Sequence, residues 1–319
     1  MSVPLSAVVV TYNSAHCVGE CLRSLRDVVA PAEIVVVDNA SADGSADAVR
    51  GAAPDAIVLE PGANIGFGRA VNLGVEHASS PHVMLVNPDV VFVRADLAAL
   101  ERELAHDPLG LLAPLLVTHG GPPRHYVYPY RSWQRWVLEE AWIYMKPREL
   151  RRRARLAQPG EDGWPVATVL IASREELRSL GGFDPRYFLY AEDVDLARRY
   201  RAHGLPLRRT GALTAEHAGA SSSASEDDSK PIPHAWSILG TLEYVSIWEG
   251  ERAAARAAWF ALRSLQLQRA LLRALPGARF ARKRAQIEAI EAFLVAHARG
   301  DAVDGSYCPG ARVPLRSLI

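Results

Sequence analysis

The chain has 319 residues, 49% apolar and 23% charged, a globular balance with enough length for one large domain and an appendage or for two domains. Lys plus Arg and Asp plus Glu both number 36, which argues against nucleic acid as the main partner, since that partner calls for a basic surplus. Three cysteines are too few for a disulfide framework, and no run approaches the ~18 apolar residues of a membrane span.

Taken in order, Leu5 to Val10 predicts a buried strand, with Thr11-Tyr12-Asn13-Ser14 as the turn into a helix over about Cys17 to Asp27. The apolar run Val8 to Val10 is too short for a leader and lacks a basic flank, so a cytoplasmic location is expected. A second strand, Glu33 to Val37, runs into Asp38-Asn39-Ala40-Ser41-Ala42-Asp43-Gly44-Ser45, where Ser45 is suited to cap the following helix. Ile57 to Leu59 reads as a third strand, leading through Asn64-Ile65-Gly66-Phe67-Gly68 to a helix carrying Ala70, Leu73 and Val75.

The most informative stretch is His82 to Val93. Met84, Leu85 and Val86 form an apolar run that reads as a strand buried on both faces and ending at the polar turn Asn87-Pro88-Asp89, after which Val90 to Val93 resume the apolar run. Pro88 has no N–H for a sheet ladder, so Asn87 and Asp89 are expected at the strand's end, facing outward, where open α/β sheets bind ligands. The same string also suits an ordinary turn. Alternating strands and helices predict an α/β class with a doubly wound, mostly parallel sheet flanked by helices.

Regularity weakens after Gly120. Tyr126, Tyr128, Tyr130, Trp133, Trp136, Trp142 and Tyr144 precede Arg148, Arg151, Arg152, Arg153 and Arg155. This is either a packed helix with a solvated basic end or a peripheral membrane contact on anionic headgroups. Val166 to Ile171 predicts a strand, and Arg174 to Leu180 a helix stopped by Gly181-Gly182. A helix over Asp193 to His203 follows, then Leu213 to Glu216 leads to His217. Ser221 to Pro233 reads as a mobile loop, and Trp236 to Leu275 and Arg279 to Ala298 as helices.

Asp89 suits Mg²⁺ or Mn²⁺ if a second protein ligand, water and substrate phosphate oxygens complete the shell. His217 is the candidate second ligand, with a structural histidine as the other reading. Glu192-Asp193 either meets the free N–H groups of a helix start or supplies a general base that a nearby cation would keep ionised. Asp38 directly follows a strand, where it either accepts bonds from a nucleobase or ribose or makes an Asx turn into Asn39. Gly66 to Gly74 is not a G-x-G-x-x-G, and no P-loop string occurs.

Six strings in this order resemble the inverting glycosyltransferases of family 2, in particular rhamnosyltransferase-like members. They are VVVTYNS at 8–14, IVVVDNASADGS at 34–45, NIGFGRAVNLG at 64–74, VNPDV at 86–90, GGFDPRYFLYAEDVDLARR at 181–199 and EHAGASS at 216–222. The resemblance implies a GT-A fold with a Rossmann-like central sheet over 1–225, its nucleotide-sugar half about 1–120 and its acceptor half about 121–225, with a C-terminal helical region over 226–319. By the same resemblance Thr11 and Asn13 edge the nucleotide pocket, Asp38 reads the pyrimidine, and Arg69 lies near the donor. Asn87 and Asp89 stand where the family often has D-x-D, Asp89 and His217 hold the metal, Asp193 is the base, and Glu192 sits beside it toward the acceptor. Asn87 in place of an acidic residue leaves the metal to Asp89, His217 and the donor phosphates. The implied partners are a nucleotide sugar, dTDP-L-rhamnose first and a UDP-hexose or UDP-HexNAc second, and a glycan, lipid-linked or small-molecule acceptor. A homodimer stays open. A nucleotidyltransferase is the rival, but it calls for a glycine-rich loop with Arg and Lys where Thr11 to Ser14 stand.

Overall fold

The computed structural model describes residues 3–118, 120–130, 132–141, 156–157, 161–217 and 232–299. Trp142, Tyr144, the Arg148 to Arg155 run and residues 221–231 of the expected loop lie outside them. In chain order the strands are β1 Val3–Thr11, β2 Pro31–Asp38, β3 Ile57–Leu59, β4 His82–Val86, β5 Val90–Ala95, β6 Leu111–Thr118, β7 Val127–Pro129, β8 Gly163–Pro165, β9 Val169–Ser173 and β10 Leu207–His217. The helices are α1 Val18–Ser24, continued by a π-helical turn Leu25–Val29, α2 Ser45–Ala52, α3 Phe67–His77, α4 Leu97–Leu104, α5 Trp133–Ala141, α6 Arg174–Ser179, α7 Glu192–Ala202, α8 Ile232–Glu249, α9 Glu251–Arg273 and α10 Ala278–Arg299.

The chain forms two compact units. The first comprises Met1–Pro129, Leu156–Pro185 and Glu192–Ala224; the second comprises Tyr130–Arg155, Arg186–Ala191 and Ser225–Ile319. In the first, eight strands make one sheet in the order β3-β2-β1-β4-β9-β6-β10-β5. The pairs β3/β2, β2/β1, β1/β4 and β6/β10 are parallel, while β9 and β5 run against their neighbours. The architecture is the expected mostly parallel sheet with helices about it.

Side chains along β1 alternate between two cores, as a strand covered on both faces requires. Leu5, Ala7 and Val9 pack with α1 and α4 residues such as Leu22 and Leu100, and Val8 and Val10 pack with Val71 and Val75 of α3 and Leu196 of α7. The α3 backbone approaches the sheet so closely that a Cβ on Gly74 would lie 2.4 Å from Val8 Cγ1 and 3.3 Å from Val37 Cγ2. Gly74→Val is therefore expected to lower the unfolding free energy by about 2–3 kcal/mol, read from the urea midpoint, because a branched side chain has no space to enter.

As expected, β4 ends at Asn87-Pro88-Asp89; the apolar run that resumes at Val90 forms β5, which lies at the far edge of the sheet, paired with β10. Three expectations need correction. β6 was not foreseen, since Pro114 interrupts its run. Opposite Pro114 the β10 register jumps from Arg209↔Ala113 to Thr214↔Leu115, so a bulge absorbs the missing N–H. β10 consequently begins at Leu207 rather than Leu213. Ser45 does not cap α2: Gly44 occupies that position with φ +85°, and the Ser45 hydroxyl accepts from the Ser14 N–H instead.

In the second unit α5, α8, α9 and α10 share a core. Trp236 stacks on Phe188 at 4.3 Å and meets Phe293 edge-on at 5.2 Å. The helical pattern read over Trp236 to Leu275 is two helices, α8 and α9, separated at Gly250, where φ is +89°. No helix among the described residues is long and apolar enough to cross a membrane.

Candidate active site

Register alone gathers the candidate residues at one edge of the sheet. Thr11 ends β1 opposite Asp38 ending β2, Val86 ends β4 opposite Val169 starting β9, and His217 ends β10 opposite Thr118 ending β6. This is the carboxyl edge of the parallel strands, where such sheets bind ligands. The Thr11 hydroxyl donates to Asp38 Oδ1 at 2.8 Å, and Ser41 adds its hydroxyl at 2.6 Å and its N–H, to Oδ2, at 3.1 Å. Asp38 thus makes the local turn, closed at Ser41, and with three of its roughly four acceptor sites used it retains capacity for one more donor. Asn13, at φ +51°, accepts from the Ala42 N–H, lacing the loop after β1 to the loop after β2.

Asp89 lies in the turn closed by the Val90 N–H to Asn87 carbonyl bond, and it is 8% exposed rather than facing outward. Because β10 runs antiparallel to β5 with His217 opposite Val90, the imidazole Nε2 comes to 3.2 Å from Asp89 Oδ2. Asn87 donates its N–H to the Thr168 carbonyl at 2.9 Å, and the adjacent Ala167 N–H bonds the Asp193 carboxylate. Two successive residues, Ala167 and Thr168, therefore join the start of α7 to the Asn87-Pro88-Asp89 turn. Arg69 is half-buried in the first turn of α3, whose approach is fixed by Asn39 through bonds to Asn64 and to the Ile65 N–H.

Residues 6–167, about half of the chain, match Glycosyl transferase family 2. The chain belongs to glycosyltransferase family 2. This glycosyltransferase is 32% identical over 222 residues to N-acetylglucosaminyl-diphospho-decaprenol L-rhamnosyltransferase of Mycobacterium tuberculosis, an alignment covering 62% of the chain and 71% of that relative. Among solved structures it is similar to the mannosyltransferase PcManGT of Pyrobaculum calidifontis in complex with GDP-Man and Mn²⁺, with TM-score 0.51 and 17% identity over 96% of this chain and 78% of that one. GalNAc-T7 with UDP, GalNAc and Mn²⁺ gives TM-score 0.55 and 15% identity over 90% and 54% of the two chains. S. aureus TarS 1–349 gives 0.50 and 17% over 96% and 95%. At these identities the likeness is one of fold, and the fold is GT-A.

The carboxylates at the start of α7 are strongly perturbed by their burial. Burial pushes Asp193 up to about 6 against the pull of the Val194 and Ala167 N–H groups. Burial, then the charges of Asp193 and Asp195, push Glu192 up to about 8, and Glu192 Oε2 has no hydrogen-bond partner. The low carboxylate pKa expected beside a cation is thus not a property of the protein surroundings alone. Asp195, by contrast, is tied to Arg199 at 2.8 Å and is structural. A raised folded-state pKa means that stability is complete below the unfolded value of ~4.3 and falls as pH rises toward 8, because folding then desolvates a charge. Glu192→Gln never ionises, so its melting temperature is expected to exceed the parent's by roughly 3 °C at pH 8 and to match it at pH 4.5 in thermal melts.

Two supports escaped sequence reading. Asn72 of α3 clamps the loop before α7, its Nδ2 donating to the Phe183 carbonyl and its Oδ1 accepting from the Phe183 N–H, both at 2.8 Å. Gly182, at φ +67°, makes room for it: a Cβ there would lie 2.3 Å from Asn72 Oδ1. Tyr190 and Ala191 both adopt left-handed backbone, φ +70° and +68°, directly before Glu192. Each costs roughly 1–3 kcal/mol, strain of a kind that clusters at functional sites.

Proposed function

We propose that this glycosyltransferase moves L-rhamnose from dTDP-L-rhamnose to a hydroxyl of a lipid-diphosphate-linked sugar by single displacement with inversion. The observation that carries the reading is that the Asp89–His217 pair and the Asp193 carboxylate are tied together at one sheet edge by the successive residues Ala167 and Thr168. The sugar and the acceptor class are supported by the 32% identity to the mycobacterial rhamnosyltransferase, whose name specifies both.

Asp38, with an acceptor site to spare beside Thr11, takes the N–H of the pyrimidine, and Asn13 shapes the rim of the same loop. Arg69 faces the donor's negative charge. Asp193 accepts the proton of the acceptor hydroxyl as that oxygen attacks the anomeric carbon from the side opposite the diphosphate. Glu192, protonated at neutral pH by its burial, positions the acceptor as a hydrogen-bond donor. Asp89 and His217 offer one carboxylate oxygen and one imidazole nitrogen 3.2 Å apart, and no group of three or more candidate ligands occurs among the described residues. That set fits Mg²⁺ or Mn²⁺ completed by diphosphate oxygens and water, and the cation when bound supplies charge neutralisation of the leaving diphosphate.

The test is nucleotide release by purified protein with Mn²⁺ and a short-chain prenyl-diphosphate N-acetylglucosamine acceptor. The dTDP-L-rhamnose reaction is expected to exceed UDP-glucose and UDP-N-acetylglucosamine by about 100-fold in kcat/KM. Preference for a UDP sugar would replace the donor assignment with the second reading.

A further inference from the structure

Eight large apolar side chains are exposed among the described residues, and five of them, Trp259, Phe260, Leu267, Leu271 and Leu275, lie on α9 or just past its end. Trp259 and Leu267 are each 52% exposed. With Arg256 and Arg263 they recur every three or four residues and so share one face, a stripe ~22 Å long from 256 to 271. The helix does not need this face for its own packing. Its opposite side, Ala254, Ala257, Ala258, Ala261, Leu265 and Leu272, is already buried in the second unit's core.

The charge on the stripe is one-sided. Between Glu251 and Glu288 the sequence has no Asp or Glu but nine Lys and Arg, in a chain whose net charge is zero. Arg252, Arg256, Arg263 and Arg273 are exposed on α9, and the Arg263 guanidinium lies over the Trp259 ring at 5.9 Å. Arg269 belongs inward, paired with Glu291 at 2.6 Å. A second copy of the same face would set arginine against arginine with no carboxylate between. A neutral apolar partner would leave the guanidinium groups unmatched. An anionic bilayer surface meets both requirements: Trp, Phe and Leu enter the interfacial region while arginine side chains reach lipid phosphates.

We propose that the outer face of α9 docks the protein on an anionic lipid surface. The inference does not rest on the donor or acceptor reading, and vesicle binding is measured with neither present. The full chain is sedimented with phosphatidylglycerol–phosphatidylcholine vesicles and with phosphatidylcholine alone. Strong binding is expected only to the anionic vesicles, since each arginine near such a surface adds about fivefold to partition. Arg256→Glu with Arg263→Glu is expected to weaken it by about tenfold or more, as is Trp259→Ser with Leu267→Ser and Leu271→Ser. Arg102→Glu with Arg178→Glu, exposed positions on α4 and α6 with the same charge change, should leave binding within about twofold. Absence of binding, equal binding to neutral vesicles, or equal loss in the Arg102/Arg178 variant would overturn the proposal. So would a dimer that the α9 variants dissociate while vesicle binding persists. If the serine variant fails to fold, the glutamate pair still decides.

Discussion

Asp193→Asn is expected to lower kcat for sugar transfer by about three orders of magnitude while leaving nucleotide affinity within about twofold, measured by steady-state kinetics and by calorimetry with dTDP. General base assistance accounts for 10²–10⁴-fold in such reactions, roughly the size of the loss. The amide keeps the shape of the carboxylate and can still accept from the Val194 N–H at the start of α7, so the local fold survives. What disappears is the basic oxygen. Glu192 cannot replace it, because its burial holds it protonated at neutral pH. For the parent enzyme kcat/KM should fall about tenfold per unit below pH 6, where Asp193 takes up its proton. A variant retaining more than a few per cent of activity would remove Asp193 from the role of base.

The half of the sheet that the sequence makes plain is the half built from short-range signals. Val8 to Val10, Val35 to Val37 and Met84 to Val86 are apolar runs ended by Thr11, Asp38 and Asn87, and the structure puts all three ends at one edge. The other half depends on pairing that no local pattern carries. Pro114 hides β6, the bulge opposite it hides the first half of β10, and the departure of β5 to the far edge follows from partners distant in sequence. The site divides the same way. Asp89, Asp193 and His217 stand out as single residues in informative strings, whereas the 3.2 Å approach of His217 to Asp89 exists only because antiparallel register sets His217 opposite Val90. Asn72, a polar residue in a helix that reads as ordinary, gives no sign that both its amide atoms are spent on Phe183.

Asp89→Ala is the second large effect expected, a loss of 100-fold or more in transfer accompanied by loss of the Mn²⁺-dependent part of dTDP binding. Calorimetry of dTDP with and without Mn²⁺ separates these: the parent should bind about tenfold or more tightly with the ion, and the variant equally with or without it. The reason is charge. Of the two side chains that meet here, only Asp89 brings a formal negative charge, and a buried carboxylate 3.2 Å from an imidazole has little water to substitute for it. Asp89→Asn should therefore behave nearly as badly as alanine although its shape is preserved. His217→Gln, which removes one nitrogen ligand and leaves the Asp89 carboxylate in place, should cost less, about tenfold. Asn87→Ala gives the sharpest contrast. The Asn87 backbone does the structural work, its N–H bonded to Thr168 and its carbonyl to the Val90 N–H and the Cys21 Sγ–H, and its side chain carries no charge. A loss above about tenfold in that variant, or ion-dependent dTDP binding surviving in Asp89→Ala, would move the cation away from this turn and leave the diphosphate to Arg69 and the α3 N-terminus.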